Sequence, residues 1–153
     1  MTFFKAATFI FLLLFSINSI AQQELTWEFY HPIKKEWYSF GRAGSIQEKL
    51  IASGELPDPF YGENEKEFQW IEEYVWKFRS TFYLTEKEAI TESLLLNFPN
   101  IDTYGSVEIN GNFLGNTINF FHPYNFEIKT LVHAGYNTVT VSITPPVVYH
   151  KTK

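Results

Sequence analysis

Between Leu56 and Phe82 the chain passes through a double-proline turn, a helix start and an aromatic alternation, so no single regular element can span it. Pro57 and Pro59 fix their own φ and hold Leu56 and Asp58 out of the helical region. Pro57-Asp58-Pro59 is therefore expected to form a rigid extended turn, relaxed by Gly62 after Phe60 and Tyr61. Asn64 with Glu67 three residues on fits the looser form of a capping box, which predicts a short helix from Glu65. Phe68 and Ile71, then Trp70 and Tyr74, fall at three- and four-residue spacings and give that helix a broad apolar face to bury. From Val75 the period becomes two. Trp76, Phe78, Ser80, Phe82 and Leu84 share one face, while Lys77, Arg79, Thr81 and Tyr83 share the other, as in a half-buried strand.

The same period recurs along the chain. Short strands are expected at Trp27–Tyr30 and Trp37–Phe40, and the apolar run Ser93–Phe98 reads as a buried strand. Tyr104–Ile109 alternates, Asn110-Gly111 supplies a two-residue I′ turn, and Asn112–Leu114 returns. Tyr124–Ile128 and Thr138–Ile143 complete the set, with Lys87–Thr91 read as a polar connection. Ser45-Ile46-Gln47-Glu48 is a full capping box, so a second short helix is expected to run to Ser53 and stop at Gly54. Many short strands with two short helices confined to connections predict an all-β sandwich.

Residues 1–21 have the character of a secretory leader. Lys5 precedes the apolar run Ala6–Phe15, and Ser19-Ile20-Ala21 supplies small residues for cleavage after Ala21. The apolar run is too short to span a bilayer, so residues 22–153 are expected as one secreted or periplasmic domain with no membrane contact after cleavage. The absence of cysteine removes disulfides and thiolate metal sites, and export without disulfides suits a bacterial periplasm. With a net charge of −5 and Lys34-Lys35 as the only adjacent basic pair, no stripe exists to neutralise phosphates, which excludes nucleic acid as a partner. Aromatic content of 19% fits either a thick β core or rings that stack on sugars.

The Leu56–Phe82 run resembles the amino-terminal domain of glycoside hydrolase family 2 enzymes of the β-mannosidase type. There a DP-(F/Y) turn, an Asn-Glu helix start, a QWI-like helix and a W-x-(Y/F)-(R/K) strand follow in this order. Ile101-Asp102-Thr103-Tyr104, Val107-Glu108-Ile109-Asn110-Gly111, Leu114-Gly115, Asn119-Phe120-Phe121, Tyr124-Asn125-Phe126 and Gly135-Tyr136-Asn137 continue the likeness. Arg42-Ala43-Gly44 departs from the VPG-like triplet usual in the family. The resemblance implies a galactose-binding-domain-like jelly roll. In the family the sandwich continues through a GWDWGP-like segment, followed by an immunoglobulin-like domain and a catalytic barrel, and none of these is present before Lys153. The reading is therefore a truncated front piece, incomplete at its C-terminus, with Ser93–Phe98 and Thr138–Ile143 as unpaired apolar edges.

By that resemblance both catalytic glutamates belong to the barrel, and no residue here is assigned a catalytic role. Asp58, Glu63, Glu65 and Glu67 cluster at a helix start, where the dipole alone attracts acids. Asp102-Thr103 is either a sugar-hydroxyl acceptor or a carboxylate fixing a turn. His31, His122, His133 and His150 lack metal-ligand spacing, so neither a metal nor a cofactor is expected. The candidate contacts for carbohydrate, or for a catalytic domain, are Asp58, Phe60, Tyr61, Phe120, Phe121 and Tyr124. Their rings either plug the sandwich end or offer a stacking surface. The parent activity implied is hydrolysis of terminal β-D-mannosyl residues. A free-standing carbohydrate-binding module and a periplasmic interaction module are the alternatives.

Overall fold

The computed structural model describes residues 24–42, 44–102 and 104–151; the leader expected at residues 1–21 lies outside them. The strands are β1 (Trp27–His31), β2 (Glu36–Gly41), β3 (Trp76–Leu84), β4 (Leu95–Phe98), β5 (Tyr104–Ile109), β6 (Asn112–Thr117), β7 (Tyr124–Glu127) and β8 (Gly135–Thr144). Six form one antiparallel sheet in the order β2-β1-β3-β8-β5-β6, and β4 pairs with β7 in a second, two-stranded sheet. Asn110 and Gly111 take φ of 50° and 77°, the pair of left-handed conformations that a I′ hairpin requires.

One face of the large sheet is buried beneath two different covers. Over β8 and β5, the small sheet closes a sandwich in which Phe82, Val107, Ile109, Val139 and Val141 meet Leu96, Phe98 and Ile128. Over β1, β2 and the start of β3, the cover is helical: Ile46 and Leu50 of α1 (Ile46–Ala52), Leu56 and Ile71 pack on Phe29, Phe40 and Trp76. Trp27 and Phe78 touch both clusters. The period-two reading of β3 holds, since Trp76, Ser80, Phe82 and Leu84 are buried, and Ser80 Oγ donates to Thr26 O at 2.6 Å.

Ser45 caps α1 with both reciprocal bonds of the box, and Gly54 follows the helix at φ of 75°. Three expectations differ from the structure. The segment after the proline turn is a 3₁₀ helix, Asn64–Glu73, with no side-chain cap bond; Asn64 instead donates to the Asp58 carbonyl at 2.8 Å. Glu86–Ala89 (α2) and Pro146–Lys151 (α3) are helical, so more than two helices are present; Thr85 and Glu88 form a complete capping box that runs into Lys87–Thr91, the stretch read as a polar connection. Thr138–Ile143 is not an edge, because β8 lies between β3 and β5 and both its rows of backbone groups are paired. Its apolar alternation reflects a central strand.

Close approach dictates glycine at two positions. A Cβ on Gly115 would lie 2.6 Å from Phe126 Cε1, and one on Gly105 would lie 2.3 Å from Thr117 Oγ1, whose hydroxyl accepts the Gly105 N–H at 2.9 Å. Gly105→Ala is expected to cost about 2 kcal/mol, the usual range for forcing an extra methyl into a packed site, as measured by denaturant unfolding. An unchanged midpoint would show that β5 and β6 can separate freely.

Candidate functional site

The proline turn is held by its own polar groups. Asp58 Oδ1 accepts the Phe60 N–H at 3.0 Å, the Asp58 carbonyl accepts from Tyr61 N at 3.3 Å and from Asn64 Nδ2 at 2.8 Å, and Gly62 turns at φ of 61°. This Asx turn aims its rings outward: Phe60 is 96% exposed and Tyr61 79%. The loop after β6 uses the same device. Asn119 Oδ1 accepts the Phe121 N–H at 2.9 Å, and the Tyr124 hydroxyl accepts from both Ile118 N and Asn119 N at 2.9 Å. Phe121 is 88% exposed, with Phe120 edge-on to it at 5.4 Å.

The six candidates thus form two groups. Asp58, Phe60 and Tyr61 follow the helical cover at the β1–β2 side, whereas Phe120, Phe121 and Tyr124 follow β6, the opposite edge of the large sheet. Neither exposed turn plugs the sandwich. Asp58 and Tyr124 bind backbone and shape their loops, and Tyr124 also stacks on Phe126 with centroids 6.2 Å apart. Phe60→Ala and Phe121→Ala are expected to change stability by no more than about 0.5 kcal/mol in urea unfolding, as for exposed surface residues. A loss of several times that would mean that the rings pack on the fold.

A third constellation escaped the sequence reading. His31 is 1% exposed, its Nδ1 accepts the backbone N–H groups of Ile33 and Lys34 at 3.3 Å each, and its Nε2 lies 2.7 Å from Glu55 Oε1. With Nδ1 used as an acceptor, the proton belongs on Nε2 and is donated to Glu55. Lys34 Nζ donates to the other Glu55 oxygen. Burial pushes the Glu55 carboxyl up, but hydrogen bonds from Lys34 and His31 outweigh it and hold the group below 4.5. Lys34 is correspondingly raised above 10.5, chiefly by its hydrogen bond to Glu55. The period-two alternation of β1 put His31 on the Phe29 face, which was the available signal; Glu55 lies 24 residues away and gave none.

The sign follows from the depressed carboxyl. Its contribution is fully present above the unfolded value of 4.5 and is lost as pH falls through the lower folded value. Glu55→Gln is therefore expected to melt below the wild type at neutral pH, with the gap closing as the solution is acidified. A gap constant with pH would assign the residue a role in packing alone.

Glu63 pairs with Lys66 at 2.6 Å, and among the described residues no group of three or more His, Cys, Asp or Glu could hold a metal. Thr103 lies outside the described residues, and Asp102 is exposed before β5.

An antiparallel sheet roofed by a smaller sheet on one half defines a galactose-binding-like β-sandwich. The chain belongs to the glycosyl hydrolase 2 galactose-binding domain-like family, whose model matches residues 27–153. It is 28% identical over 132 residues to a probable beta-mannosidase of Caenorhabditis elegans, covering 86% of this chain and 15% of that protein. It is 31% identical over 106 residues to the beta-mannosidase of Bos taurus, covering 69% of this chain and 12% of that one. The crystal structure of beta-D-mannosidase from Dictyoglomus thermophilum superposes with a TM-score of 0.76 at 34% identity, covering 82% of this chain and 16% of the other. These residues therefore represent a non-catalytic amino-terminal domain like that of β-mannosidases.

Proposed function

We propose that this domain is the front unit of a secreted or periplasmic β-mannosidase-like glycoside hydrolase and that its two exposed aromatic turns meet the catalytic part. The observation that carries the reading is the exposure of Phe60 and Phe121, 96% and 88%, on turns stiffened by Asx hydrogen bonds. Large rings held rigid in water are surface awaiting a cover. Residues 1–21 serve as the leader with cleavage after Ala21, and residues 22–153 as the domain. The activity served is hydrolysis of terminal β-D-mannosyl residues, in keeping with the names of the relatives.

The test lies in the encoding DNA. Downstream of the Lys153 codon, one of the reading frames is expected to encode a GWDWGP-like run and then a barrel; unrelated sequence there overturns the reading. A carbohydrate-binding role for the domain alone is favoured by the same exposed rings, since flat apolar faces also stack on sugars. Calorimetric titration of the purified chain with mannosides separates the two. Heat saturating at millimolar sugar supports the module, and its absence removes it.

A further inference from the structure

The β1–β2 turn and the 3₁₀ helix border a shallow, open hollow of about 370 Å³, lined by His31, Ile33, Lys34, Glu55, Glu67 and Trp70 together with Leu56. Its size falls at the low end of small-molecule sites, about 300–1,000 Å³, with room for one or two sugar rings. The groups lining it divide into those already engaged and those still open. Both Glu55 oxygens are taken by His31 and Lys34, and both His31 nitrogens are bonded. Glu67, which is exposed, has no hydrogen-bond or ion-pair partner among the described residues. The Trp70 indole N–H likewise has no acceptor there and is not a buried unsatisfied atom, so it faces solvent.

What remains is one neutral donor, one carboxylate acceptor, and the apolar surfaces of Trp70 and Ile33, the latter 54% exposed. An anion would meet Glu67 and a Lys34 already neutralised by Glu55. A compact cation would find Lys34 in its way. A neutral polyhydroxylated ring has both the hydroxyls to exchange with Glu67 and Trp70 and the C–H face to lie on apolar surface. The platform is also fixed before any ligand arrives. Trp70 stacks on His31 with centroids 5.5 Å apart and packs against Trp76 at 5.7 Å and Tyr74 at 6.1 Å, so little side-chain freedom remains to be lost on binding.

We propose that this hollow is a saccharide subsite in which Trp70 supplies the platform and an N–H donor and Glu67 accepts from a sugar hydroxyl. The proposal rests on the carbohydrate-directed reading of the domain but not on which enzyme it serves. The experiment follows the Trp70 indole N–H resonance, assigned by its loss in Trp70→Phe, while the full chain is titrated with mannobiose and, separately, with cellobiose. A saturable shift is expected, with binding about tenfold weaker in Glu67→Ala, the scale of one lost hydrogen bond. Glu67 is exposed, so that variant should keep the wild-type melt, and Trp70→Phe retains a ring against His31. Sugar binding that survives both substitutions but disappears in Phe60→Ala or Phe121→Ala overturns this subsite and leaves the module reading standing. No binding of either disaccharide overturns the subsite and the module together, while the front-unit reading still depends on the downstream DNA.

Discussion

Trp76→Ala is expected to remove about 4 kcal/mol of unfolding free energy, near the middle of the range for truncating a buried aromatic to alanine. The side chain is 3% exposed at the start of β3 and closes the helical cluster against Phe29, Leu50 and Ile71. Its indole nitrogen also donates to the Ile71 carbonyl at 2.9 Å, so truncation opens a cavity and leaves an acceptor of the 3₁₀ helix unpaired. Against a typical domain stability of about 5–15 kcal/mol, this is a large share. A melting temperature lower by about 15 °C is the expected reading. Trp76→Phe separates the two contributions, because it keeps most of the volume and removes only the N–H, for an expected cost of about 1–2 kcal/mol. If alanine and phenylalanine were equally damaging, packing would not be what the residue provides.

Asn137→Ala is the second large effect, and its origin is polar. Asn137 is 1% exposed and uses its whole amide: Oδ1 accepts from Asn110 Nδ2 at 2.9 Å and from His133 N at 3.0 Å, while Nδ2 donates to His133 O at 2.7 Å and Gly135 O at 3.1 Å. Asn110 Oδ1 in turn accepts the Thr138 N–H at 2.9 Å, so the I′ hairpin and the turn before β8 are joined through a pair of amides. Alanine leaves several of these groups unsatisfied, for an expected loss of about 3 kcal/mol in denaturant unfolding. Asn137→Asp is nearly isosteric yet should cost at least as much, since a charged oxygen would then face two carbonyls. An aspartate variant as stable as the wild type would refute the network.

That pair also shows what could be read from the residues alone. Asn110-Gly111 declared a hairpin, because its φ preferences are local, whereas Gly135-Tyr136-Asn137 opens β8 in register with β3. Nothing in either short segment discloses that the two asparagines bond to each other, 27 residues apart. The same divide separates Ser45, whose capping box is complete within four residues, from Asn64, whose side chain reaches back to the proline turn instead of capping. Thr85-Glu86-Lys87-Glu88 was equally local, but its weak apolar content hid a capping pattern identical in kind. Strand alternation gave the buried face of β3 without the order of strands, which is why β8 read as an edge when it is central. Of the six candidate contacts, Asp58, Phe60, Tyr61, Phe120 and Phe121 lie in connections, whereas Tyr124 opens β7. Only coordinates separate rings that face water, as Phe60 and Phe121 do, from Tyr124, whose hydroxyl anchors the loop.

The double roof over the large sheet has a consequence for how the molecule opens. One end of β3 contributes Trp76 to the helical cluster and the other contributes Phe82 and Leu84 to the sandwich, so a single strand runs through two packing neighbourhoods. Each neighbourhood is drawn from an almost continuous stretch of chain, the first ending near Trp76 and the second beginning near Phe82. Units of that kind can fluctuate open one at a time, and amide exchange measured residue by residue should divide along β3. Protection in β1, β2 and α1 should collapse in Trp76→Ala while β5 and β8 retain most of theirs, making β3 the seam along which two foldons are stitched.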